Sequence, residues 1–145
     1  LIGANPIFSS SIRLVIAQRL VRKLSDSKKA YKPDEATEKY IRKVFEGVSP
    51  EVLEDHNVNL DDLTLYKPVP SGEEDPFGYK GRSVIMEQLI VSEDIQAFIR
   101  GDVADINTNE IEKTAQRNGM LTLEQKGILA ALRGETTLEE VSRVI

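Results

Sequence analysis

Side chains able to do acid–base, nucleophilic or metal chemistry are poorly spaced for it in this chain. His56 is the only histidine, and Glu54 and Asp55 stand next to it. Three adjacent residues on a helix cannot all face one ion, so His56 reads as a solvated loop residue and no metal ligand set is assigned. The chain has no Cys, which removes thiolate nucleophiles, thiolate zinc sites and disulfides together. No Ser or Thr has a histidine at a spacing that suggests a nucleophile and its base. No G-x-x-x-x-G-K-[ST] loop is present to cradle phosphates, and no acid closes an apolar strand to hold magnesium. No catalytic residue is therefore assigned. Arg82, after the glycines of Gly78-Tyr79-Lys80-Gly81, can offer a planar fork to a carboxylate or phosphate, and Tyr79 can pack its ring while its hydroxyl stays wet.

The bulk composition supports this. The chain has 145 residues, 40% of them hydrophobic and 30% charged, which is the balance of a folded, soluble chain and not of a disordered one. A net charge of −5 argues against a nucleic-acid partner. No apolar run reaches the roughly 20 residues of a membrane span. Leu1-Ile2-Gly3-Ala4 carries neither an initiator Met nor the positive region of a signal peptide, and reads as the start of a piece of something longer.

The elements that must position these residues are mostly helical. Asn5 and Pro6 suit a helix start. Phe8, Ile12, Val15, Ile16, Leu20 and Leu24 recur at three- and four-residue steps, predicting one long helix over 7–24 with Arg13, Arg19, Arg22 and Lys23 off its apolar stripe. A second helix is predicted from about Asp34 to Glu46, and Ser49-Pro50-Glu51 opens another. A basic stretch, 13–32, precedes an acidic one, 46–62, which suggests a local contact between them. Residues 67–82 hold prolines and glycines and read as a loop. Ser83–Val91 reads as a strand. Ser92 caps a helix to about Arg100 with Ile95, Phe98 and Ile99 inward, and Thr108 caps one to about Asn118. Thr122 with Gln125 and Thr137 with Glu140 fit capping boxes for two short final helices, parted by Gly134.

Three phrases carry a resemblance. GMLTLEQKGILAALRGETTLEEVSRVI (119–145), LVIAQRLVRKL (14–24) and GYKGR (78–82) resemble, in order and at the right separation, the C-terminal segment of the ATPases that drive type II secretion and type IV pilus assembly, within the secretion NTPase superfamily. Residues 93–100 match more loosely a helix carried there by pilus retraction motors. The resemblance implies a mainly α fold with a short β strand or hairpin, the C-terminal helical subdomain of a RecA-like secretion ATPase. It divides the chain into 1–28, the last helix of the RecA-like core; 29–80, a small subdomain that binds zinc in many relatives; and 81–145, a C-terminal helical subdomain.

The resemblance further implies a hexameric motor that holds ATP and magnesium outside this segment, contacts neighbouring subunits of a homohexamer, and pushes on an inner-membrane platform protein from the cytoplasm, with no hydrolysis by this segment alone. Arg19, Arg22 and Arg82 become candidates for subunit contact or for a place near the nucleotide. Ile95, Ile99 and Arg100 become candidates on a coupling helix, whose plainer reading is core packing. The positions of the relatives' zinc cysteines are Ser25, Lys28, Ser71 and Glu74, so zinc is expected to be absent. The small subdomain must then rest on Tyr40, Val44, Phe45, Val52, Leu53, Leu60, Leu63 and Leu65. The alternative function is a free-standing helical interaction module with no link to ATP.

Overall fold

A computed structural model describes residues 6–73, 75–102 and 108–145. In chain order the elements are α1 (Pro6–Ser11), β1 (Leu14–Leu24), β2 (Lys29–Tyr31), α2 (Glu35–Val44), α3 (Pro50–Asp55), β3 (Leu65–Lys67), β4 (Tyr79–Ile90), α4 (Glu93–Arg100), α5 (Thr108–Arg117), α6 (Leu123–Leu132) and α7 (Leu138–Val144). The expectation of a mainly α chain is overturned. β1 pairs with β4, and β2 pairs with β3, so the fold is mixed α/β. Only the first turns of the predicted 7–24 helix are helical; LVIAQRLVRKL is an eleven-residue strand.

The reason lies in pairing. Leu14–Leu24 carries Val15, Ile16 and Val21, whose branched side chains lose rotamer freedom in a helix and pack well on a pleated surface. Its partner starts in the phrase read as a turn: β4 begins at Tyr79, before the predicted Ser83. The Val91 amide donates to the Arg13 carbonyl at 3.0 Å and the Ser25 amide to the Gly78 carbonyl at 3.1 Å. The two strands therefore run antiparallel. The second sheet is a three-residue antiparallel ladder with Ala30 opposite Tyr66, and the sequence carries no local sign of it.

The chain divides into two compact units. The first holds residues 1–17 and 87–122. There α4 packs on α1 and α5, and Val91, Ile95 and Ala115 form a core flanked by Ile12, Phe98, Ile99 and Ile111. Ser92 caps α4, accepting from the Ile95 amide, and Gly101 ends it in the left-handed region. Thr108, expected as a cap, is the first helical residue of α5.

The second unit holds residues 18–86 and 123–145. There α6 packs against α2, β3 and α7, and Val21, Ile85 and Val141 form a core with Leu123 and Val144 against it. Asp34 caps α2 by accepting from the Thr37 amide, and Ser49 caps α3 ahead of Pro50. Ile41, Phe45, Leu63 and Leu65 are buried as a small core, while Tyr40 lies at the surface. Its hydroxyl donates to Glu124 Oε1 at 2.6 Å. The basic and acidic stretches do meet, where Lys32 pairs with Asp62.

Candidate functional site

The site grows from the C-terminal hairpin of the second unit. α6 ends near Gly134, whose φ of +68° suits glycine, and a Cβ there would sit 2.9 Å from the Tyr66 ring. Its carbonyl accepts from Lys28 Nζ at 2.7 Å. The chain then turns along β1. The Leu24 amide donates to the Glu135 carbonyl at 2.9 Å, and Thr136 Oγ1 donates to the Arg22 carbonyl at 2.8 Å. Thr137 caps α7, accepting from the Glu140 amide at 3.3 Å. Only half of the expected capping box forms, because the Glu140 side chain goes elsewhere.

Glu140 is 2% exposed and collects donors from two arginines. The Arg22 amide donates to Oε2 at 3.0 Å and Arg22 Nη2 to Oε1 at 2.6 Å. Arg143 adds Nε at 3.3 Å and Nη2 at 2.9 Å. Charge-assisted bonds of this kind favour the carboxylate strongly. The bond from Arg22, stronger than the opposing effect of burial, and then that from Arg143, hold Glu140 down to about 2. The same bond pushes Arg22 above its ordinary value. The Arg22 guanidinium also lies 4.3 Å from the Tyr79 ring centroid, within cation–π range. The Tyr79 hydroxyl, expected to stay wet, is 3.2 Å from Thr137 Oγ1.

Beside this knot, Leu20, Val21, Arg22, Arg82 and Arg143 line a groove of about 440 Å³. Three arginines and no acid line it, and Glu140 pairs with two of them, so the groove carries a surplus of positive charge. The Arg82 side chain forms neither hydrogen bond nor ion pair among the described residues, and the residue is exposed. Such a surface can receive a carboxylate or a phosphate.

Of the candidate residues, the structure brings Arg22 and Arg82 together and adds Arg143, which sequence reading missed. Arg19 does not line the groove. Its Nε donates to the Val144 carbonyl at 3.1 Å, a cation on the last carbonyls of α7. In the first unit, Ile95 is fully buried, Ile99 packs beside it, and Arg100 pairs with Asp102 at 2.8 Å. The one available hint of the Glu140 tie was an acid three residues before Arg143, and it says nothing of Arg22.

His56 departs from the solvated reading. It caps α3, is partly buried, and lies beside Lys126 of α6 and Arg133 in the turn that follows that helix. Burial first, then those two cations, push its pKa down, against a smaller upward effect of Asp55.

The positions of the relatives' cysteines hold a different arrangement. Ser25 Oγ is 2.9 Å from Ser27 Oγ, and Ser71 Oγ donates to Asp75 Oδ2 at 3.1 Å. The Ser25 hydroxyl, against a smaller opposing effect of burial, and then the Ser71 hydroxyl lower the pKa of buried Asp75. Lys28 is the residue bound to the Gly134 carbonyl, and Glu74 lies outside the described residues. Hydroxyls and an ammonium do not suit zinc, which takes thiolate, imidazole or carboxylate ligands. Among the described residues, no group of three or more His, Cys, Asp or Glu is placed to hold a metal ion. No helix among them is long and apolar enough to cross a membrane.

Comparison with known proteins fits this geometry into a family. The model of the type II/IV secretion system protein family matches residues 2–143. The type II secretion system protein E of Xanthomonas campestris pv. campestris is 34% identical over 142 residues, which are 95% of this chain and 22% of that protein. The type IV pilus assembly ATPase PilB of Thermus thermophilus is 36% identical over 141 residues, 96% of this chain and 14% of that protein. The type II secretion system protein E of Pseudomonas aeruginosa is 31% identical over 144 residues, 98% of this chain and 25% of that protein. The chain thus spans between a seventh and a quarter of the length of these relatives. With nearly its whole length matched, it belongs to the type II/IV secretion system protein family.

Proposed function

We propose that this chain is the C-terminal part of a hexameric ATPase that powers type II protein secretion or type IV pilus assembly. The observation that supports this best is the family match, in order, across residues 2–143. ATP and magnesium would be held by motifs of the longer protein, since the chain has neither the phosphate loop nor the acidic strand end. Its own contribution is mechanical: subunit contact and coupling to an inner-membrane platform protein on the cytoplasmic side. The arginine groove suits the contact role. Arg22 and Arg143 are oriented by Glu140, and Arg82 stands free to meet an acidic group on a neighbour. α4, with Ile95 and Ile99 as its anchors and Arg100 at its end, would transmit displacement within the first unit.

Two experiments test this. Reading the gene upstream of Leu1 should find a G-x-x-x-x-G-K-[ST] loop and an acid-ended apolar strand; a start codon with no such motifs would overturn the motor reading. In the longer protein, Arg82→Glu should leave the melting temperature unchanged while lowering hexamer formation or ATPase rate. Unchanged assembly and rate would remove Arg82 from the contact. Arg22→Glu is the weaker probe, because it also breaks the bond to Glu140.

A further inference from the structure

A cavity of about 150 Å³ lies in the second unit, walled by His56, Asn57, Asn59, Asp62, Leu129 and Arg133, among others. That is roughly five water volumes. The imidazole on its wall is badly matched to its neighbours. Nε2 is 3.4 Å from Lys126 Nζ, and Nδ1 is 3.4 Å from Arg133 Nη2. A neutral imidazole has one acceptor nitrogen and one N–H, while ammonium and guanidinium groups only donate. In either tautomer one of these contacts therefore sets donor against donor. Protonation of the ring makes both contacts so.

Nothing among the described residues relieves this. Lys126 and Arg133 form no ion pair there. Of the acids nearby, Asp62 on the cavity wall is taken by Lys32, and Asp55 precedes the histidine on α3 and offsets Lys126 and Arg133 only in part. Arg133 is held in place by a bond from Nη2 to the His56 carbonyl at 2.9 Å, which leaves other N–H groups of its fork unspent.

We propose that His56, Lys126 and Arg133 form a binding site for a compact oxyanion of the phosphate class. Its oxygens would accept from the ammonium, the guanidinium and a ring N–H at once, replacing the donor-against-donor contact with charge-assisted bonds. Binding draws a proton from solvent onto His56, so the site tightens as pH falls and weakens as pH rises above the histidine range. This site is independent of the arginine groove and of the motor reading.

The test uses the 145-residue chain, in which the only histidine gives a single ring Cε1–H resonance by NMR. Inorganic phosphate should shift that resonance saturably and raise the titration midpoint of His56, while chloride at matched ionic strength should not. Arg133→Gln and Lys126→Gln should each weaken binding roughly tenfold or more, as loss of a hydrogen bond to a charged group implies. His56→Gln, followed by the shifts of Arg133 and Lys126, should keep weakened binding and retain only the pH dependence that comes from phosphate's own ionisation. A phosphomonoester that competes with phosphate would assign the site to esterified phosphate; one that does not would assign it to the free ion. Both outcomes support the site and separate its sources. Equal effects of phosphate and chloride, or an unchanged pH dependence in His56→Gln, would overturn the proposal.

Discussion

Replacing Glu140 with Gln is the sharpest probe of how this chain is held together. A carboxyl whose ordinary value is 4.5 is held at about 2. The corresponding preference of the fold for the carboxylate is about 3 kcal/mol at neutral pH. The arginine side chains are 50% and 57% exposed, and solvent screens their share, which reduces the expected loss to about 2 kcal/mol. The larger cost of breaking a buried pair does not apply, because neither arginine is left buried without water. The folded value is depressed, so the stabilisation is present above 4.5, the unfolded value, and is lost as pH falls toward about 2. Urea unfolding followed by far-UV circular dichroism should show Glu140→Gln less stable at pH 7. The gap between the two proteins should narrow between pH 4.5 and 2. Equal urea midpoints at pH 7, or a gap that does not change over that interval, would refute the reasoning.

Three further changes test other parts of the account. Gly127→Ala would ordinarily stabilise a helix by about 1 kcal/mol, but the new Cβ would lie 2.5 Å from Val141 Cγ1 and 3.3 Å from Ile85 Cδ1; thermal unfolding should show a loss of about 1–3 kcal/mol instead. Ile95→Ala empties the centre of the first unit's core and should cost about 2–4 kcal/mol, read as faster amide exchange in α4 and α5 than in α6 and α7. Burial, then the bond to Glu124, pushes the Tyr40 phenol up to about 12, so its stabilisation is present below the unfolded value near 10 and is lost as pH rises through 12. Tyr40→Phe should delete the highest step in an ultraviolet phenol titration and lower stability at pH 7 by about 0.5 kcal/mol, since the ring is 39% exposed.

What could be read from the residues alone was whatever is local. The caps at Ser49, Ser92 and Thr137 are formed by side chains bonding three residues ahead, and each is where its sequence signal put it; Asp34, read only as the approximate start of α2, is its cap. The left-handed stops at Gly101 and Gly134 were equally legible. The strand β1 was not. Its apolar residues fall at three- and four-residue steps because both faces of the strand carry them, and Leu14, Ile16 and Leu20 remain exposed on the folded chain. Periodicity cannot separate such a strand from a helix. The β2–β3 ladder joins residues 29–31 to 65–67, and pairing across that separation leaves no trace in either segment. His56 was misplaced for the same reason, since the cations beside it, Lys126 and Arg133, lie 70 and 77 residues further along the chain.

The misread strand and the missed glutamate are one fact. In a helix the Arg22 and Leu24 amides would bond back to carbonyls four residues earlier, and the Arg22 carbonyl would bond forward. In an extended strand beside one partner, alternate backbone groups face outward and need satisfying. Here the C-terminal segment meets them in register. The Arg22 amide goes to Glu140, the Arg22 carbonyl accepts from Thr136, and the Leu24 amide goes to Glu135. The phrase that runs from Gly134 through Glu140 thus closes the open edge of β1, and Glu140 does so with its side chain where a third strand would have used its backbone. That explains why a buried carboxylate stands there at all. It also means that residues 14–24 and 134–144 stabilise each other's conformation, so Thr136→Val, which leaves the Arg22 carbonyl without its donor, should loosen amide protection at Leu24 as well as in α7. Protection lost in α7 alone would show that the two segments fold independently.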